Sequence, residues 1–256
     1  MTTTNDLEVY RASEREQMRT ADLFRLMPAR GVGLALDVGA RDGHFSRLMT
    51  QRFDKVVALD LVKPDFQIQG VDCVAGDATA LAFPDAHFDF VLCAEVLEHI
   101  PPQKLATACR ELARVCRGQL LIGVPDRQDL RVSRTTCQVC GRSNPPWGHV
   151  NSFDDRRLRV LFEGCAVREV SRVGVTNETT NALSAWLMDL AGNPYGTYGQ
   201  EEPCVHCGAA LGRPAPRALP QKLLTKLAFW IRSATAPLTK PRANWVHVLF
   251  SKSPDI

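Results

Sequence analysis

Between residues 33 and 124, short apolar segments recur, each followed by a turn or a helix-like stretch. This rhythm constrains the fold more than anything else in the chain. Gly33–Val38 (GLALDV), Lys55–Asp60 (KVVALD), Asp72–Ala75, Phe88–Ala94 (FDFVLCA) and Gln119–Val124 (QLLIGV) read as five strands. Most are near-continuously apolar rather than alternating, as expected of strands covered on both faces. A Gly-bearing turn and a helix through Phe53 follow the first, and a helix from about Pro102 to Arg117 precedes the fifth. Such repetition predicts an α/β domain around a mostly parallel sheet. With 256 residues and 45% hydrophobic content, the chain can bury that core without disulfides.

The flanks read differently. Arg11 to Met27 is rich in Glu, Arg, Gln, Met and Leu without Gly or Pro, so a helix is predicted, ended by Pro28 and Gly31. Asp126 to Asn151 is polar and irregular and holds one CxxC. A helix over Asp154–Glu163 and a strand over Ala166–Val173 then resume the fold. Thr176 to Arg217 is loop-rich and holds a second CxxC. A basic helix over about Pro220–Ala234 precedes a last apolar strand, Trp245–Ser251. The expected organisation is an N-terminal helical segment over 1–30 and a core over 31–175, with a CxxC loop at about 126–151. An insertion over 176–240 and a final core strand over 241–256 complete it.

The charge balance, 31 basic against 28 acidic residues for a net +3, is scattered and gives no basic footprint for nucleic acid. No apolar run reaches the roughly 20 residues that span a bilayer. Met1 to Glu8 is polar and acidic and lacks a leader core, so a cytoplasmic location is expected. In that compartment the nine cysteines suit thiols or metal ligands better than disulfides.

Leu36 to Phe45 (LDVGARDGHF) puts an acid and two glycines at the end of the first strand, where glycine lets a ligand approach the backbone. Asp60 ends the second strand about 20 residues on, where a carboxylate can accept from ribose hydroxyls. Ala75 to Pro101 (AGDATALAFPDAHFDFVLCAEVLEHIP) completes the pattern. From about Gly31 to Val124 the chain resembles class I S-adenosylmethionine-dependent methyltransferases, whose fold is a Rossmann-like, seven-stranded, mostly parallel sheet. The resemblance implies that S-adenosylmethionine is bound with Asp37 and Gly39 near its methionine part and Asp60 on the ribose. It also implies Asp77 with Ala78 at the adenine edge, and Ala40, Gly43, Leu61 and Ala94 around the same cradle. Arg41 departs from the family, which has glycine there; the turn is expected to survive with an altered backbone.

After the fourth strand, Glu95, Glu98 and His99 stand at i, i+3 and i+4, and in a helical turn all three would face one point. Two carboxylates and an imidazole suit Mg²⁺ or Mn²⁺. The segment is similar to the EVxEH of small-RNA 3′-end 2′-O-methyltransferases and of ubiquinone-pathway O-methyltransferases. In the RNA group a further histidine completes the metal site, which makes His149 the candidate fourth ligand; it is alternatively a general base. A cation would hold an acceptor oxygen and lower its pKa. The other reading is of solvated cleft-mouth residues without a metal.

Cys137-x-x-Cys140-Gly and Cys204-x-x-Cys207-Gly are knuckle-like pairs, and four thiolates suit a closed tetrahedral Zn²⁺ site without a catalytic role. Zinc would staple the insertion, placed before the last strand, to the loop after strand five as an acceptor-site cover. Ordinary buried thiols or a redox pair are the alternatives. Cys73, Cys93, Cys109, Cys116 and Cys165 read as core. Trp147, Trp186, Tyr195 and Tyr198 suit either a small core of the insertion or stacking on a sugar or base. The helix pairing Lys222, Lys226 and Arg232 with Leu223, Leu224, Leu227 and Ile231 suits packing on the core or contact with a membrane surface.

The leading expectation is an O-methyltransferase of a hydroxylated small molecule, such as a sugar or secondary-metabolite precursor, assisted by a divalent cation. The alternatives are an RNA ribose 2′-O-methyltransferase and a non-catalytic zinc-containing interaction protein on a degenerate methyltransferase fold.

Overall fold

The computed structural model describes residues 9, 11–29 and 33–252. The expectations for Met1–Glu8, and for Gly31 as a helix stop, lie outside them. The described residues form two compact units. The sheet unit runs through Asp126 and includes Phe153–Gly174 and the chain from Ala243. The cysteine unit holds Arg127–Ser152 and Val175–Arg242. The Arg127–Ser152 loop, read above with the core, groups with the second cysteine pair instead.

The sheet unit contains α1 (Glu14–Leu26), β1 (Leu34–Val38), α2 (His44–Met49), β2 (Lys55–Asp60), β3 (Val71–Ala75), β4 (Phe88–Ala94), α3 (Pro102–Val115) and β5 (Cys116–Pro125). The cysteine unit contributes the short β6 (Thr135–Thr136) and β7 (Ser143–Asn144). The sheet unit resumes with α4 (Asp155–Leu161) and β8 (Cys165–Val173). After α5 (Ala182–Leu190) and α6 (Leu219–Thr235) in the cysteine unit, β9 (Trp245–Lys252) closes the sheet. Strand order is β3-β2-β1-β4-β5-β9-β8. All neighbours are parallel except β9, which runs antiparallel to both β5 and β8. This is the seven-stranded, mostly parallel α/β sheet that was expected.

The apolar strands are explained by two cores. Leu36, Val38, Val91 and Ile122 face one side, where α3 packs Leu105, Ala108, Cys109, Leu112 and Val115 at helical spacing. Ala35, Val56, Phe90, Leu92 and Leu121 face the other, against Leu23, Leu26 and Met27 of α1 and its C-cap. Ser13 caps α1 by accepting from the Glu16 amide at 3.3 Å, and Glu14 and Glu16 complement the helix dipole. Of the thiols read as core, Cys93, Cys109 and Cys116 are buried, and Cys73 and Cys165 are half-buried.

In the cysteine unit α5 and α6 pack as a pair. Ser184 Oγ donates to the Ala228 carbonyl at 2.7 Å, and Asn181 Nδ2 donates to Thr235 Oγ1 at 3.0 Å. Asp189 of α5 ties the pair to the first cysteine loop through Arg134 (2.9 Å) and Ser143 (2.9 Å). Among the described residues no helix is long and apolar enough to cross a membrane.

Candidate functional site

The order of strands reverses on either side of β1, which pairs with β2 on one side and β4 on the other. A crevice at the carboxyl ends of strands around such a switch point is where open α/β sheets bind ligands. Most of the expected donor-binding residues converge there. Val38 is level with Leu59 and with Cys93, so the exits of β1, β2 and β4 lie side by side.

The exit of β1 is shaped by left-handed backbone. Gly39 (φ 78°) donates to the Leu59 carbonyl at 2.8 Å, and Ala40 donates to the same oxygen at 3.1 Å. A Cβ on Gly39 would lie 2.3 Å from Val96 Cγ2, and one on Gly43 (φ 78°) would meet the Phe66 ring at 2.7 Å. Both positions therefore require glycine. Arg41 also takes a left-handed conformation, φ 45°. The turn thus survives the departure by forcing a side-chain-bearing residue into glycine's region, at a cost of about 1–2 kcal/mol.

Three acids surround this turn, each in a different state. Asp60 is clamped by amides: Oδ2 accepts from Arg41 N at 2.9 Å and Oδ1 from Leu61 N at 2.7 Å. Asp77 is exposed and accepts from the Thr79 amide at 2.8 Å, while Ala78 beside it is buried. Asp37 is buried, with Ser46 Oγ donating to its Oδ2 at 2.6 Å. Burial pushes Asp37 up to about 6 against that hydrogen bond, helped by the charges of Asp60 and Asp42.

A carboxyl raised from 3.8 to about 6 on folding stabilises the fold fully below pH 3.8 and loses that contribution as pH rises through 6. Asp37→Asn should therefore match the parent near pH 4 and exceed it above pH 7 by up to about 3 kcal/mol. Urea unfolding of the ligand-free proteins at the two pH values measures this; equal stability at both would show that Asp37 is not desolvated.

The turn after β4 departs from expectation. Glu95 has φ 58°, so the segment leaves the strand through a left-handed residue rather than as a helical turn. Glu95 is drawn into another network: its Oε1 lies 3.9 Å from Arg19 Nη1. Arg19 of α1 is buried, bonded bidentately to Glu16 at 2.8 and 2.6 Å, and its guanidinium lies over the Phe45 and Trp245 rings. Burial raises the Glu95 carboxyl, and Arg19 opposes the rise. Glu95 is therefore part of an α1–β9 tie, and although its charge reaches Glu98 it does not join Glu98 and His99 in one ligand set.

Glu98 is different. It is wholly buried, and neither carboxylate oxygen has a hydrogen-bond partner among the described residues. Burial pushes it well above the usual carboxylate range, with the Glu95 charge adding to the rise. A buried carboxylate without donors is costly unless it holds a proton or a cation. His99 follows it and is exposed. Ala94, the last residue of β4, is half-buried.

His149 belongs to the cysteine unit. It is buried and follows Trp147 and Gly148, both at positive φ, with its Nδ1 2.6 Å from Gln128 Oε1. With the Gln128 oxygen as acceptor, the proton would sit on Nδ1 and leave Nε2 as the basic nitrogen, the tautomer needed by a metal ligand or a base.

The four cysteines of the two knuckles converge within the same unit. Their sulfurs all lie within 4.8 Å of one another, with Cys137–Cys207 and Cys140–Cys204 at 3.7 Å. The two knuckles repeat one geometry: the Gly141 amide bonds the Cys137 carbonyl at 2.9 Å, and Gly208 bonds that of Cys204 at 2.8 Å. Both glycines are left-handed. Burial pushes the Cys204 thiol up, but the amides of His206 and Cys207 and the neighbouring thiols outweigh it and bring it to about 6. His206 points elsewhere, its Nε2 3.0 Å from the Ser143 carbonyl. Of the four aromatics noted above, Tyr198 is buried against the cysteines and Trp147, Trp186 and Tyr195 are exposed.

Two features had no signal in the sequence. One is the buried Arg19–Glu16 pair. The other is His247 in β9, whose Nδ1 lies 2.7 Å from Asp22 Oδ2. Burial opposes ionisation of Asp22, yet hydrogen bonds from His247, Arg25 and Ser171 bring it down to about 2.

Residues 36–121 match the family described as methyltransferase domain. A ubiquinone biosynthesis O-methyltransferase from Chromobacterium violaceum is 35% identical over 91 residues, 31% of this chain and 39% of that protein. The chain thus spans 39% of the length of the curated relatives it matches. Two solved structures share the fold. The YcgJ protein of Bacillus subtilis is 15% identical with a TM-score of 0.57, over 92% of this chain and 98% of that one. The N-methyltransferase NodS of Bradyrhizobium japonicum is 14% identical with a TM-score of 0.54, over 95% and 99%. The domain match, the strand order and the acids at the switch point agree: residues 36–121 are similar to a methyltransferase domain, and the sheet that carries them has the Rossmann-like α/β fold of such proteins.

Proposed function

We propose that the chain transfers the methyl group of S-adenosylmethionine to a hydroxyl oxygen of a small molecule, a sugar or secondary-metabolite precursor with vicinal hydroxyls, assisted by Mg²⁺ or Mn²⁺. The donor cradle is chemically suited to the cofactor. Asp60 offers a fixed carboxylate to vicinal hydroxyls, and beside it Leu61 and Val62 are 74% and 80% exposed, apolar surface that a flat ring would cover. When bound, the cofactor supplies an electrophilic methyl group. The chain's own part is to fix the donor against the switch-point turn and to orient an acceptor oxygen, because in-line displacement is accelerated chiefly by positioning.

The observation that carries the oxygen-directed reading is Glu98, a buried carboxylate without a hydrogen-bond partner among the described residues, next to His99. Oxygen and imidazole donors suit a hard divalent cation, which would bind an acceptor hydroxyl and favour its alkoxide. The relatives that this chain matches over 39% of their length are O-methyltransferases of ubiquinone biosynthesis, which supports the same reading. The test is release of S-adenosylhomocysteine with catechol and methyl glycosides as probe acceptors. Chelation should abolish turnover, Mg²⁺ or Mn²⁺ should restore it, and Glu98→Gln should lower it by about a hundredfold or more, the scale of a lost charged ligand contact of ~3 kcal/mol. Turnover indifferent to chelation and to Glu98→Gln would remove the cation.

The cysteine tetrad we assign to structural zinc. A tetrahedron with Zn–S bonds of about 2.3 Å places its sulfurs roughly 3.8 Å apart, and two of the sulfur pairs stand at 3.7 Å. Four thiolates close the coordination sphere, so the metal would hold the unit together and take no part in catalysis.

A further inference from the structure

Helix α6 packs on α5 by one face and leaves a second, apolar stripe exposed. Gln221, Leu224, Thr225, Ala228, Ile231, Arg232 and Thr235 are the positions that turn inward. Leu219, Leu223, Leu227 and Trp230, spaced as one stripe, face outward, with Leu219 and Trp230 each 70% exposed and Leu223 58% exposed. The outward face thus carries an apolar stripe that no described residue covers, where the outer face of an ordinary amphipathic helix is polar. Lys222 and Lys226 are exposed along its flank. Just beyond the helix Leu238 is almost fully exposed, followed by Lys240.

We propose that this stripe docks on an anionic bilayer surface, with the leucines and Trp230 seated among the acyl chains at the headgroup boundary. Charge selects that occupant. Between Pro203 and Arg242 the chain has seven Lys and Arg and no Asp or Glu. Against a second copy of this chain the same lysines would face each other and repel, whereas anionic headgroups neutralise them. Lysines flanking an apolar stripe can lay their alkyl stems along it and keep their ammonium groups at the headgroups. Tryptophan favours the same interfacial depth. Among the described residues no helix is long and apolar enough to cross the bilayer, and the proposed contact is with its surface. The inference rests on this surface alone and is independent of the reaction proposed above.

The test is co-sedimentation of the full chain with vesicles of equal parts phosphatidylglycerol and phosphatidylcholine, against vesicles of phosphatidylcholine alone. The chain should bind the first and only weakly the second, and high salt should release it. Lys222→Gln/Lys226→Gln should weaken binding at least about tenfold, and Leu223→Gln/Trp230→Gln should weaken it by as much or more. Both variants alter solvent-facing side chains, and circular dichroism melts matching the parent would show them folded. Failure to bind anionic vesicles, equal binding to both vesicle types, or full binding by both folded variants would overturn the proposal. So would a lipid-free dimer that Leu223→Gln/Trp230→Gln disperses.

Discussion

Stripping zinc from the purified protein is expected to unfold the cysteine unit and leave the sheet unit folded. The unit's own core around the tetrad is small: Cys137, Tyr198, Cys204 and Leu211 are its buried members, and two of the four are proposed ligands. Cores of that size seldom hold loops in place without a staple. Zinc binding in comparable Cys-rich units is worth on the order of 10–16 kcal/mol and is coupled directly to folding. Metal analysis should find near-stoichiometric zinc in the parent and none in Cys137→Ser/Cys204→Ser. Circular dichroism gives the second readout, because α5 and α6 lie in the cysteine unit and the seven-stranded sheet lies in the sheet unit. The serine variant should lose the share of helical signal that α5 and α6 supply while keeping that of the sheet unit. A parent without zinc, or a variant that melts like the parent, would return the tetrad to four ordinary thiols.

The sheet was legible because its strands are buried on both faces, which leaves apolar runs such as LALDV and FDFVLCA that no surface element would carry. The switch-point turn was legible because glycines and a carboxylate stand together at the ends of neighbouring strands. The turn at Glu95 was not legible, because nothing in its sequence marks a glutamate at φ 58°. Reading EVLEH as a helical turn gave its residues a common face, and one left-handed residue removed Glu95 from it. Arg19 was hidden for a related reason. An arginine in a charged helix reads as surface, and only the fold shows Glu16 and two aromatic rings enclosing it. In α6 the difficulty was symmetry. Leucines at 219, 223 and 227 and apolar residues at 224, 228 and 231 make two candidate faces, and periodicity alone does not say which packs.

Replacing Asp60 with alanine is expected to cost about a hundredfold in affinity for S-adenosylhomocysteine, measured by calorimetry. Hydrogen bonds to a charged group are worth about 1.5–3 kcal/mol each, and a ribose edge presents two hydroxyls to one carboxylate. Asp60 is prepared for that task. With one oxygen fixed by the Arg41 amide and the other by the Leu61 amide, little ordering remains to be done when a ligand arrives. The same clamp complicates the alanine variant, since losing it frees Arg41 to leave its left-handed conformation and reshape the turn. Asp60→Asn separates the two effects. Asparagine keeps one acceptor for the turn but loses the charge, so it should hold the parent's melting temperature in the ligand-free state and still bind roughly tenfold more weakly. If both variants bind as the parent does, Asp60 is a brace for the Arg41 turn and the ribose is held elsewhere. If only alanine weakens binding, the carboxylate acts through the backbone it holds. A graded loss, asparagine less than alanine, is the result that places the charge on the ligand.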